Sequence, residues 1–134
     1  MRIFEGKHKK WDWGNKHNFV DDKNVFVGFD SEQRCCEDAD WFISDKIETK
    51  MPDPLPKETE LDGWNFDTSF FEEKDSLEYS EMEGNALYSG GMVIFKIKKG
   101  KKEKYLHLFN CQNGCYGHGF EMEIGGQIIR EGTL

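Results

Sequence analysis

Nowhere in these 134 residues does an apolar run approach the roughly 18–20 needed to cross a bilayer as a helix. The opening MRIFEGKHKK lacks the apolar centre of a secretion signal, so a cytoplasmic location without membrane contact is expected. Cysteine is scarce: four thiols are too few for a disulfide scaffold, and a reducing compartment leaves them as packing residues, metal ligands or nucleophiles. Proline is scarcer still, and all three residues fall within 50–57, KMPDPLPK. That stretch is excluded from central strands and helix interiors. Positive charge is in deficit, 18 Lys and Arg against 26 Asp and Glu, and a net charge of −8 repels phosphate backbones, which makes nucleic acid an unlikely partner. Internal repeats, a phosphate-binding glycine loop and the spacing of a calcium loop are all missing.

What the chain does have is aromatics, 11 Phe, 4 Trp and 4 Tyr, in a hydrophobic fraction of only 37%. Few but large side chains must therefore carry the burial. The length matches one domain, 1–134, with a proline-rich surface loop near 50–63 between two parts that are each too small for a core of their own. VFVGF at 25–29 and Trp41-Phe42-Ile43 read as strands, and 64–70 alternates Trp64, Phe66 and Phe70 with polar residues, the period of a half-buried strand. Asp30-Ser31-Glu32-Gln33 has the form of a capping box and predicts one short helix over 31–38. The acidic stretch 72–85 fits helix and loop equally.

Three apolar stretches, 92–97, 105–109 and 120–124, are separated by glycine-containing turns at Gly100 and Asn113-Gly114, with Gly125-Gly126 before 127–130. This pattern predicts a C-terminal antiparallel meander. A turn at Gly100-Lys101 pairs Phe95 with Leu106 and Val93 with Leu108. A two-residue turn at Asn113-Gly114 pairs Cys111 with Tyr116, Phe109 with His118, His107 with Phe120 and Tyr105 with Met122. Both faces of 105–109 are then largely apolar. The expected fold is mainly β (α+β), an antiparallel sheet covered on both sides or a partly closed barrel.

The same register sets His118 diagonal to His107 and Cys111. Two imidazoles and a thiol on one patch suit zinc, and Cys35 or Cys36 on the predicted helix would add a ligand. Adjacent cysteines are not a chelating knuckle, and buried cysteines are usually small hydrophobes. Cys111 with His118 also has the composition of a nucleophile and its base, although no third group or oxyanion hole accompanies them. At the N-terminus, Trp11-Asp12-Trp13 offers two indoles to a partner protein or to a core edge. Basic residues within the first 17 (Arg2, Lys7, His8, Lys9, Lys10, Lys16 and His17) and in IKKGKKEK at 97–104 are two patches able to grip an anion or, more simply, to keep those segments soluble and discourage edge pairing.

Gln33-Arg34-Cys35-Cys36-Glu37 after a strand, together with the late strand–turn–strand around Asn113-Gly114-Cys115-Tyr116, resembles a small phage and bacterial family. That family has an early Cys-Cys-Glu element and a late Asn-Gly-Tyr-Tyr hairpin, and Arg34, Gln112 and Cys115 depart from its pattern. The resemblance implies a compact β-rich fold in a phage or bacterial setting and no particular activity. Three expectations follow: a non-enzymatic module that works through another protein; a small zinc domain drawing on His107, His118, Cys111, Cys35 and Cys36; and a thiol enzyme centred on Cys111 and His118.

Overall fold

The computed structural model describes residues 1–6, 16–34, 37–49, 51–52, 54–74, 89–112 and 116–134. Its strands are β1 (Arg2–Gly6), β2 (Lys16–Val20), β3 (Val25–Asp30), β4 (Asp38–Ser44), β5 (Asn65–Lys74), β6 (Ser89–Lys99), β7 (Lys102–Gln112), β8 (Gly119–Ile124) and β9 (Gln127–Thr133). They form two antiparallel sheets, one ordered β1-β2-β3-β8-β9 and the other β4-β7-β6-β5. No helix among the described residues is long and apolar enough to cross a membrane.

Strand composition explains which faces meet. In β3, Val25, Val27 and Phe29 alternate inward, and in β6 Val93, Phe95 and Ile97 do the same from the opposite sheet. Edge-to-face contacts bridge the layers, Phe19 to Trp41 at 5.1 Å and Phe95 to Phe120 at 6.3 Å between ring centroids. Each such buried ring contributes roughly 1.5–3 kcal/mol by removal from water. The intervening residues of the second sheet form another cluster on its outer face, Phe42, Met92, Ile94, Phe109 and Cys111, against which Met51, Leu55, Phe70 and Tyr105 pack. The second sheet is thus covered on both sides, by the first sheet and in part by its own proline-containing connection.

Two polar brackets tie the layers. Asp21, in the β2–β3 turn, accepts the N–H groups of Lys23 and Val25 with Oδ1, each at 2.9 Å, and that of Phe66 in β5 with Oδ2 at 2.9 Å. Asn110 of β7 donates to the carbonyls of Tyr116 and Leu134, both at 2.9 Å.

The β6–β7 hairpin has the predicted register, with Phe95 opposite Leu106 and Val93 opposite Leu108, and Gly100 at a φ of 61° in its two-residue turn. Gly125 and Gly126, at φ 59° and 85°, make the β8–β9 turn left-handed at both positions, as the twist of a tight hairpin requires. The meander does not run on from β7 to β8. β7 takes β4 on its second side, pairing Phe42 with His107 and Asp38 with Cys111. β8 joins β3 in the other sheet, with Phe29 opposite Phe120. The pairings of Phe109 with His118, His107 with Phe120, Tyr105 with Met122 and Cys111 with Tyr116 are therefore absent. β4 prevails because Trp41 and Ile43 supply one apolar face and Phe42 the other, matching a strand buried on both sides. Two separate sheets also replace the partly closed barrel. The turn at Asn113-Gly114 lies outside the described residues, as do Trp11, Trp13, Cys35, Cys36 and most of 72–85.

The helix predicted over 31–38 is not formed. Residues 31–34 and Glu37 lie outside any regular element, and Asp38 already begins β4. A helix capped by Asp30 needs its carbonyl to accept the N–H of Arg34 as the first bond of the helical ladder. Both groups are engaged elsewhere: the Asp30 carbonyl lies 2.6 Å from His118 Nδ1, and the Glu37 carboxylate accepts the Arg34 N–H. Asp30 keeps part of its capping role by accepting the Glu32 N–H at 3.3 Å and the Arg34 guanidinium at 2.8 Å.

Candidate functional site

Alternation along β7 places His107 and Cys111 on the outer face of the second sheet, separated by Phe109. The His107 ring stacks on Phe42 at 4.2 Å with 8° between planes. Its Nδ1 lies 3.1 Å from the Tyr105 carbonyl and Nε2 lies 2.9 Å from the backbone nitrogen of Glu48. A carbonyl can only accept and an amide N–H can only donate, so the proton sits on Nδ1 and Nε2 is the acceptor. Burial pushes the imidazole pKa down from 6.5 to about 4, outweighing the backbone bonds at Tyr105 and Phe42 that favour the charged form. With both nitrogens engaged, this neutral imidazole pins the start of the 45–64 connection. Further along, the Cys111 thiol meets the Met51 thioether at 3.6 Å in an apolar setting.

His118 stands elsewhere, just before β8, with its ring fully buried 6.4 Å from Phe29. Its backbone pairs reciprocally with Leu134, N to O at 2.9 Å and O to N at 2.8 Å. That approach needs the small neighbour Gly117, where a Cβ would fall 2.7 Å from Thr133. The Asp30 carbonyl takes the Nδ1 proton, which leaves Nε2, without a hydrogen bond among the described groups, facing the buried Glu37 carboxylate at 3.6 Å. The structure thus brings His107 and Cys111 to one face but directs His118 toward Asp30 and Glu37. The thiol and this imidazole make no nucleophile–base contact. Among the described residues no group of three His, Cys, Asp or Glu side chains converges on a metal position.

Glu37 is the neighbour of His118 that the sequence reading missed. The signal was its place directly after Cys35-Cys36. Other buried charges lie nearby in the first sheet: Lys16 faces Asp30 in register, and burial lowers its pKa while Glu121 and Asp30 oppose the shift.

A cleft of about 580 Å³ opens at the opposite end of the sandwich, lined by residues including Lys23, Asn65, Asp67, Thr68 and Lys98. Its charges are largely spent on one another. Lys98 sits 3.0 Å from Asp67, whose carboxyl is pulled down to about 2 by Ser69 and by Lys98.

The sheet edges differ more sharply. In β9 the register slips between Met122 and Glu123, leaving Ile129 as an extra residue, and β5 is irregular between Asp67 and Phe71. Such bulges interrupt the ladder that an added strand would need. The β4 edge is occupied where Ile43 donates to the Pro56 carbonyl at 3.0 Å, and Lys57 pairs with Asp40 beside it. β1 pairs without interruption over five residues, from Arg2 opposite Val20 to Gly6 opposite Lys16. Among the described residues, no backbone group of another segment occupies its far side. Phe4, 43% exposed, stands in the middle of this edge, with the Arg2 guanidinium 5.8 Å from its ring centroid. The sequence signal for it was slight, a five-residue RIFEG.

Comparison with protein-family models, with curated proteins and with solved structures gives no match for this chain.

Proposed function

We propose that this protein is a non-enzymatic interaction module that engages another protein through the edge of β1. The supporting observation is the contrast among its four sheet edges: β5 and β9 are bulged and β4 is occupied, while β1 is regular and carries a half-exposed Phe4. An unpaired row of N–H and C=O groups is a template for a further strand, and an aromatic at its centre concentrates binding energy. Trp11 and Trp13 lie between β1 and β2 in the sequence and stay partner-binding candidates on sequence grounds alone. The reading is tested by affinity purification of the wild-type chain and Phe4→Lys from native cells. A partner retained by the first and lost from the second supports the edge as the contact. Equal recovery with both chains counts against it.

A second reading, a small zinc-binding domain, is favoured by the orientation of His118. A backbone carbonyl on Nδ1 is the arrangement that presents Nε2 to a metal, and Glu37 Oε1 lies 3.6 Å from that nitrogen. Two ligands about 2.0–2.1 Å from a tetrahedral ion stand roughly 3.4 Å apart, near that spacing. Cys35 and Cys36 directly precede Glu37 in sequence and supply thiols of the required kind. His107 leaves the ligand set because both its nitrogens are engaged. Stoichiometric zinc that is lost in His118→Ala and in the double Cys35→Ser, Cys36→Ser variant supports this reading; metal-free protein with native stability in chelator contradicts it.

A further inference from the structure

We infer that Ser31 is a nucleophilic hydroxyl, set up by His17 with Glu5 behind it, that accepts an acyl group from an activated ester or thioester. This site goes beyond the interaction-module reading and needs only the register of β1, β2 and the end of β3. Glu5 stands opposite His17, and His17 stands opposite Phe29, two positions before Ser31. Strand alternation therefore puts Glu5, His17 and Ser31 on one face, in a row across three segments. It is the inner face, because the parallel row Ile3, Phe19 and Val27 packs in the core between the sheets. At this end of the sandwich the inner face turns from apolar to polar, and its three side chains bond to one another.

His17 Nδ1 lies 2.5 Å from Ser31 Oγ, and Nε2 lies 3.2 Å from Glu5 Oε1. A carboxylate can only accept, so in the neutral ring the proton sits on Nε2 and Nδ1 is the acceptor. The Ser31 hydroxyl must then donate to Nδ1, the direction in which an imidazole draws a proton off a nucleophile. Glu5 orients the ring and stabilises the imidazolium that forms, as the third member of such a relay does. Burial pushes the His17 pKa below its usual 6.5, against the pull of Glu5 and Asp40 and with the help of Lys57, so the ring is the free base at neutral pH. Ser31 and His17 are half-buried and Glu5 is exposed, which leaves the row open to a small reagent. One side of the imidazole rests against Trp41, 5.9 Å between ring centroids.

In the transfer, Ser31 Oγ bonds to the acyl carbon as its proton passes to His17 Nδ1. The bond from that carbon to the alkoxide or thiolate breaks, and the leaving group takes the proton from Nδ1. The products are an ester at Ser31 and a free alcohol or thiol, with no change of oxidation state.

Ser69 is the comparison within the same chain: it is exposed, and its Oγ lies 2.5 Å from a carboxylate oxygen of Asp67 rather than from an imidazole. The test incubates the full chain with p-nitrophenyl acetate and maps acetyl groups by tandem mass spectrometry. Ser31 is expected to gain an acetyl ester about a hundredfold faster than Ser69, the low end of what a positioned base supplies. The Ser31 rate is expected to rise with pH through a midpoint below 6.5 and then level off. His17→Gln is expected to bring Ser31 down to the Ser69 rate. Glu5→Gln, an exposed change, is expected to slow Ser31 less and to move the midpoint lower still, because the carboxylate that favours the charged ring is gone; circular dichroism checks the fold of both variants. Equal rates at Ser31 and Ser69 overturn the inference, as does acetylation confined to lysines and cysteines. A Ser31 rate in the wild type that climbs with pH without levelling overturns the role of His17, whether or not the variants fold. An acetyl group that persists on Ser31 fits a module modified once. One that hydrolyses steadily keeps Ser31 as the nucleophile and contradicts the non-enzymatic reading instead.

Discussion

His107 Nε2 accepts the backbone N–H of Glu48 at 2.9 Å across 59 positions of sequence, so one neutral imidazole in β7 holds down the start of the connection that covers the second sheet. The bond requires the unprotonated ring. Burial supplies that requirement by lowering the pKa to about 4.

Stability should consequently rise with pH across the interval from about 4 to 6.5. Within it the unfolded chain binds a proton at position 107 that the folded chain refuses, so the full contribution is present above 6.5 and is lost as pH falls toward 4. The difference between the two pKa values corresponds to about 3 kcal/mol. Urea unfolding of wild type and His107→Gln at pH 7 and pH 4.5 checks this: the wild type should lose more stability than the variant on acidification. Parallel pH profiles would remove His107 as the cause.

Asp21 satisfies three backbone donors from two layers. Asp21→Ala should cost about 2–4 kcal/mol, since at least two of those N–H groups are buried and lose their acceptor. Thermal or urea denaturation measures the loss, and amide exchange should quicken at Val25 and Phe66 together. Faster exchange at Val25 alone would mean that the bond between layers contributes little.

Asn110→Ala should cost about 1–3 kcal/mol by removing the amide that donates to the Tyr116 and Leu134 carbonyls, the second of which keeps the His118 N–H. Exchange should accelerate at Leu134 and His118, whose backbones pair next to it, while the β6–β7 hairpin keeps its protection.

At Gly126 an added Cβ meets nothing within 4 Å, yet φ is 85°. Gly126→Ala should therefore cost roughly 1 kcal/mol from backbone conformation alone. The same substitution at Gly117, where the new Cβ would stand 2.7 Å from the Thr133 side chain, should cost more. Thermal denaturation of the two variants side by side measures the difference.

What was legible in the sequence was local. The β6–β7 hairpin follows from two alternating runs and a glycine turn, and its residue pairs needed no knowledge of the rest of the chain. The long-range choices were not legible. β7 pairs with β4, more than sixty residues earlier, and only the two-faced apolarity of Trp41-Phe42-Ile43 hints at it. The helix was misread because Asp30 carries a true capping signal whose carbonyl is claimed by His118, 88 positions away. For the site, sequence grouped His107, Cys111 and His118 through a hairpin that is not formed. It named Glu37 without setting it beside His118 and passed over Phe4, and the significance of both depends on what lies beside them in space.

The central claim, that β1 is the working edge, is tested most directly by placing a photo-crosslinking amino acid at Phe4 in one sample and at Ile129 in another, and irradiating both in native cells. Both positions are similarly exposed, at 43% and 42%, one on the regular edge and the other on a bulged one. A discrete crosslinked partner at position 4 and none at position 129 is the predicted result. The same crosslinks at both positions, or a partner at 129 alone, would contradict the account.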